Sequence, residues 1–175
     1  GDRSVRCAWA ATNAIETQEA AYEQPYIQQC HHITSLFKDS LDKPLMAVPT
    51  LKAMAFGAIE VTEDKEAYYC PVIESIKDEV FAGLYSYRLE EIVPAGPQDT
   101  GLKKLLPFFE NRNVFISGTG LDRLLPIPTA KVLHHSHSSK NMVALAETIF
   151  TDNIFCSLEN FEPLYMKNFI PRKPI

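Results

Sequence analysis

The chain has 175 residues, enough for one ordinary domain that buries roughly 70% of the surface its unfolded form would expose. Hydrophobic residues at 46% and charged residues at 22% lie close to globular averages, which argues against disorder. The net charge of −5 argues against nucleic acid as a partner. No apolar run approaches the roughly 20 residues that span a bilayer, so we expect no transmembrane segment.

Two amphipathic helices are predicted at the N-terminus. From Ser4 to about Gln24, apolar residues recur at intervals of three and four, and Asp2 or Ser4 is placed to cap the first turn. After Pro25 a second stripe of the same period runs to Leu41. The region therefore reads as a helix over 4–24 followed by a helix over 26–41.

A β-hairpin is predicted next. The segment 54–61 has a strand-like composition, residues 62–66 form a charged turn, and 67–73 reads as the returning strand. Pro71 has no amide hydrogen to donate, which favours a position at the edge of the sheet or at the end of the strand. The ambiguous segment 80–87 is interpreted as a third strand.

Five elements are predicted in the rest of the chain: a turn over 94–97, a helix over 99–111, a buried strand over 114–117, a helix over 142–150 capped by Ser138 or Ser139, and a strand over 154–158. The fold class that follows is α+β. We expect a single compact domain over residues 1–175, with two N-terminal helices, a small mostly antiparallel sheet and two further helices. A tail with several prolines occupies about 162–175.

All five histidines lie in two clusters, Cys30-His31-His32 and His134-His135-Ser136-His137. Imidazole and thiol are the side chains that titrate, attack or bind metal near neutral pH. On the predicted second helix Cys30 belongs to the apolar stripe, while His31 and His32 are rotated about 100° and 200° away from it. That cluster therefore favours a packed cysteine with two histidines at or near the surface.

The second cluster is the stronger candidate for chemistry. In an extended chain His135 and His137 point the same way, so the pair is suited to hold a metal ion or to present one general base. A solvated loop has the same appearance. The sequence leaves both interpretations open.

Cys7 supports a rival hypothesis. It lies near the start of the first predicted helix, where the helix dipole, Arg3 and Arg6 would lower the pKa of its thiol. Arg6-Cys7-Ala8-Trp9-Ala10-Ala11 resembles the segment around the nucleophile of papain-like cysteine hydrolases. The resemblance implies Cys7 as nucleophile and His134, His135 or His137 as base. The Gln and Gly that usually precede such a cysteine are replaced by Asp2-Arg3-Ser4-Val5.

The other motifs favour structural roles. Cys7, Cys30, Cys70 and Cys156 are irregularly spaced and are interpreted as free thiols. Gly118-Thr119-Gly120 follows a strand without a Gly-Lys-Ser or Gly-Lys-Thr triplet, so it predicts a tight turn and not a phosphate cradle. The tyrosines at 68, 69, 85 and 87 predict a sheet face, although their polar tips also suit a partner interface.

Two functional hypotheses follow. The first is a small hydrolase that uses Cys7, or a metal held by His135 and His137. The second is a protein-binding or assembly module without enzymatic activity, which self-associates or contacts another protein. The sequence does not identify a cofactor.

Overall fold

The computed structural model describes residues 44–75, 78–110, 112–135 and 138–157. Two α-helices and five strands lie in these ranges. They are α1 (Thr50–Thr62), β1 (Tyr68–Glu74), β2 (Glu79–Ser86), β3 (Glu91–Asp99), β4 (Val114–Gly118), β5 (Ala130–Val132) and α2 (Lys140–Thr151). The two predicted N-terminal helices and the C-terminal tail lie outside the described residues.

The first strand of the predicted hairpin is wrong, because residues 50–62 form the helix α1. Leu51, Ala55 and Ala58 recur at the spacing of one helix face and are all buried. Pro49 occupies the N-cap position, where its missing amide hydrogen costs no helical bond. A strand prediction that began at Met54 omitted the first turn of this pattern.

The five strands form one sheet in the order β3-β2-β1-β4-β5. β1 pairs antiparallel with β2, and β2 with β3, whereas β4 runs parallel to both β1 and β5. The predicted fold class is therefore wrong: the sheet is mixed, and within the described residues one α-helix precedes it and one follows it. The parallel pairing joins Tyr68 to Val114, and local patterns do not reveal a contact of that sequence separation.

Pro71 does not mark an edge, because β1 lies at the centre of the sheet. The β1 to β2 ladder continues on both sides of this proline, from Tyr69 with Tyr85 to Val72 with Ala82. The turn predicted over 94–97 is also wrong, since these residues belong to β3. As β3 is an edge strand, Pro94 and Pro97 are tolerated there.

The six remaining predictions within the described residues have mixed outcomes. The strands predicted over 67–73, 80–87 and 114–117 and the helix predicted over 142–150 are confirmed. The helix predicted over 99–111 is wrong: within its described part, 99–110, only Leu106–Phe108 forms a short 3-10 turn, because Pro107 interrupts the segment. The described part of the predicted strand over 154–158 makes only a single bridge, between Cys156 and Leu45.

Both faces of the sheet are covered. On one face, Cys70, Val72 and Ile116 pack against the segment that contains Leu105 and Phe109. On the other face, α1 packs against the sheet. A third cluster joins α1 to α2 through Met46, Val48, Ala53, Leu145 and Ala146. Within the described ranges, neither helix has the length and hydrophobicity needed to cross a membrane.

Candidate functional site

His135 lies at the seam between the two helices. A Cβ atom added to Gly57 of α1 would lie 3.1 Å from Nε2 of His135 and would overlap the side-chain amide of Asn141, at the start of α2. The glycine thus allows both polar side chains to approach the helix backbone closely. His135 is half-buried and Asn141 is buried. The seam therefore brings an imidazole and a carboxamide together on α1.

Of the other histidines and cysteines singled out as candidate site residues, the structure describes only His134. His134 is exposed, one residue before His135. Cys7 and His137 lie outside the described residues, as do Cys30, His31 and His32. Among the residues that the structure describes, no three His, Cys, Asp or Glu side chains come together to hold a metal ion. The hydrolase site and the metal site proposed for His135 and His137 remain predictions.

Exposed apolar side chains on the outer side of α2 and on the segment after it are a second feature. Val143, Phe150, Ile154 and Phe155 are 44%, 42%, 62% and 40% exposed. We call these four residues the α2 strip. The rings of Phe150 and Phe155 meet edge to face at a centroid distance of 5.8 Å, so the strip already has packing of its own.

Helical geometry explains why the two strip residues on α2, Val143 and Phe150, are exposed. Leu145 and Ala146 face α1, whereas Val143 and Phe150 lie seven residues apart on the flank of the helix. The apolar period of the sequence predicts both residues on the apolar face of this helix, and by itself it does not indicate that they are exposed. Plotting the residues around the helix separates the two groups by roughly 100° and was the signal that could have found them.

The carboxyl ends of β1 and β4 form a third feature. On one side of β1 lie β2 and β3, and on its other side lie β4 and β5. The strand order therefore reverses between β1 and its parallel neighbour β4. In open α/β sheets, ligands bind outside the carboxyl ends of the strands at such a reversal. Polar groups at this point are therefore candidates for ligand contacts.

The polar groups at this reversal bond mainly to one another. The amide of Thr119 donates to the carbonyl of Val72 at 3.0 Å, and its hydroxyl accepts the amide hydrogen of Glu74 at 3.0 Å. Arg123 forms an ion pair with Glu74 at 3.0 Å and donates to the carbonyl of Ser75 at 2.8 Å. Gly118-Thr119-Gly120 thus forms a turn that ties β4 to the end of β1.

Two hydroxyl groups near this edge remain unbonded. Ser75 and Ser117 are buried, and neither Oγ atom has a hydrogen-bond partner within the described structure. They are the only buried serine hydroxyls in this state among the described residues. Among the described residues, this edge therefore contains two unsatisfied hydroxyl groups, and its Arg123 and Glu74 pair with each other.

The described groups with raised pKa values are buried in the sheet. Burial raises the pKa of the Cys70 thiol to about 12, so this cysteine is protonated at neutral pH. Burial also raises the pKa of Tyr69 and of Tyr85. Tyr69 stacks on Phe115 at 5.8 Å and donates a hydrogen bond to the carbonyl of Asp64, as expected for a sheet-face residue. Cys70 and Cys156 are free thiols, as predicted.

Comparison with known proteins gives a likeness of fold. No protein-family model matches the chain, and no curated protein matches it. A crystal structure of an uncharacterized protein with similarity to the peptidase YeaZ, from Pseudomonas aeruginosa, superposes with a TM-score of 0.66 at 18% identity, over 81% of this chain and 67% of that one. YeaZ from Pseudomonas aeruginosa superposes with a TM-score of 0.64 at 18% identity, over 79% and 67%. The α/β fold is therefore one shared with YeaZ.

Proposed function

We propose that this chain is a protein-binding and assembly module that associates with a second copy of itself through the α2 strip. The observation that supports the proposal is the exposure of four large apolar side chains within 13 residues, 143–155. Monomeric soluble proteins rarely expose large contiguous apolar patches, and such patches commonly mark interaction surfaces.

The exposed rings also suit an interface energetically. Aromatic residues are enriched in interfaces because they bury a large area with few rotatable bonds. Phe150 and Phe155 already contact each other, so little side-chain freedom remains for association to remove. A surface of four side chains is small, and we therefore expect a weak and reversible dimer.

The test compares the oligomeric state of the full chain with that of a strip variant. Sedimentation velocity over a range of protein concentrations should show reversible dimerisation of the natural chain. Val143→Ser together with Phe150→Ser should leave a monomer, because the variant buries less apolar surface on association. Circular dichroism should show that the variant keeps its fold.

Val61→Ser is the matched control, since Val61 is also on a helix and is 54% exposed. It should dimerise like the natural chain. A natural chain that stays monomeric at every concentration would overturn the proposal, and so would equal loss of association in the control.

The second candidate function is a small cysteine hydrolase, with Cys7 as nucleophile and His135 or His137 as base. The observation that favours it is the position of His135 beside Asn141. In papain-like hydrolases a Cys-His pair is completed by an Asn that orients the imidazole. A structural neighbour described as similar to a peptidase is consistent with this candidate.

Thiol labelling tests the hydrolase directly. At pH 7 iodoacetamide should modify Cys7 faster than Cys30, Cys70 and Cys156, because a nucleophilic cysteine is a thiolate at that pH. Slow or equal labelling of Cys7 would end this candidate. Elemental analysis of protein purified without a histidine tag tests the metal version: zinc or iron should be bound by the natural chain and lost in His135→Ala.

A further inference from the structure

Resting on the proposed function, we infer that the two copies pair through antiparallel α2 helices, so that Lys140 of one copy contacts the partner's Glu147. The order of charged and apolar residues along the exposed side of α2 favours this arrangement of the partner at the α2 strip.

Lys140, Val143, Glu147 and Phe150 follow one another at intervals of three, four and three residues, and all four are exposed. Residues three and four apart lie on the same side of an α-helix. The exposed side therefore presents a cation near the helix start, an apolar residue next to it and an anion one turn further along.

A two-fold symmetric interface requires a surface that is complementary to itself. When two α2 helices run antiparallel and cross at Val143, each Lys140 lies opposite the partner's Glu147, and the symmetry forms this ion pair twice. The two valines meet at the centre. A parallel arrangement would instead place Lys140 against the partner's Lys140, and like charges would repel.

The local electrostatics of α2 support the same arrangement. Lys140 occupies the first turn, where the partial positive charge of the helix dipole disfavours a cation, and that turn contains no acidic residue. Within the described residues, neither Lys140 nor Glu147 forms an ion pair with another side chain. A carboxylate from the partner would offset the unfavourable position of Lys140.

Charge reversal tests the pairing. Lys140→Glu and Glu147→Lys each convert two attractions into two repulsions, so each variant should dimerise about tenfold more weakly than the natural chain. The doubly reversed Lys140→Glu, Glu147→Lys chain should regain natural affinity. An equimolar mixture of the two single variants should also dimerise, because each heterodimer restores both pairs. Sedimentation velocity at low ionic strength measures all four cases, since salt screens exposed charges.

The outcomes separate this inference from the proposed function. Single variants that dimerise like the natural chain would overturn the antiparallel pairing while dimerisation through the strip stands. Single variants that weaken association without rescue by the double variant or by the mixture would also overturn it. A natural chain that never dimerises would overturn both proposals.

Discussion

The two helices of the described structure are similar in length but differ in how they are used. α1 has 13 residues and buries seven of them, mostly against the sheet, whereas α2 has 12 residues and buries three. Val143 and Phe150 remain exposed on α2, although they are as apolar as the residues that α1 buries. The difference shows that α1 contributes most of its apolar side chains to the core, whereas α2 leaves part of its apolar surface exposed.

The largest expected effect is the difference in free energy of unfolding between truncating a buried side chain of α1 and truncating an exposed side chain of α2. Leu51→Ala on α1 should lower the free energy of unfolding by roughly 2–5 kcal/mol, because it removes buried contacts and leaves a cavity. Val143→Ala on α2 should change it by no more than about 0.5 kcal/mol. Urea denaturation of the full chain at low concentration measures both. Equal losses would show that the exposed side of α2 stabilises the fold as much as the buried side of α1.

Alanine substitution of two glycines of the sheet, Gly118 and Gly96, tests how tightly the sheet is packed near α1. Gly118 has a φ of 132°, and an added Cβ would overlap the carbonyl oxygen of Val72 and lie 2.9 Å from Cε of Met54 on α1. Gly118→Ala should therefore destabilise the protein by roughly 1–3 kcal/mol. An added Cβ at Gly96 meets no atom within 4 Å, so Gly96→Ala should be neutral or slightly stabilising. Thermal denaturation of both variants would contradict this view if their midpoints fell equally.

The last expected effect is a dependence of stability on alkaline pH, which belongs to the buried layer and is absent at neutral pH. The pKa of Cys70 is raised from 9.0 to about 12 in the folded protein. As the pH rises through this interval, the unfolded chain loses the thiol proton while the folded chain keeps it. Unfolding is therefore increasingly favoured, and the contribution of the protonated thiol to stability is complete only below pH 9.

Denaturation at several pH values measures this effect. Cys70→Ala should lose stability less steeply between pH 9 and 12 than the natural chain. Leu51→Ala serves as the control, since it is also destabilised but keeps the thiol and should keep the natural slope. If the free energy of unfolding fell with pH at the same rate in Cys70→Ala and in the natural chain, the thiol would not contribute to the pH dependence.

Local composition predicted most of the elements but not their arrangement. β2 and β4 are rich in apolar and aromatic residues, and α2 has a clear helical period, so each was recognised. α1 was missed because Phe56, Ile59 and Val61 suggested a strand when read without Leu51. The parallel pairing of β1 with β4 depends on packing across more than forty residues, which no short window contains.

The candidate sites were predictable to different degrees. Residue chemistry alone identified His135 as a residue of interest, but its neighbour Asn141 and the glycine beneath them depend on how α2 docks on α1. The α2 strip was not predicted, because composition does not tell which apolar side of a helix meets the core. A helical plot separates Leu145 and Ala146 from Val143 and Phe150, but only the contact of the first two with α1 shows which group meets the core.

The prolines of β3 have a consequence for the size of any assembly. An edge strand can recruit further strands without limit, and this is how sheets grow into fibrils. Pro94 and Pro97 remove two amide hydrogens from β3, and β5 at the opposite edge has only three residues. Growth of the sheet is therefore disfavoured at both edges. The association that we propose through α2 would close on itself by two-fold symmetry, so it would give a finite pair and not a polymer.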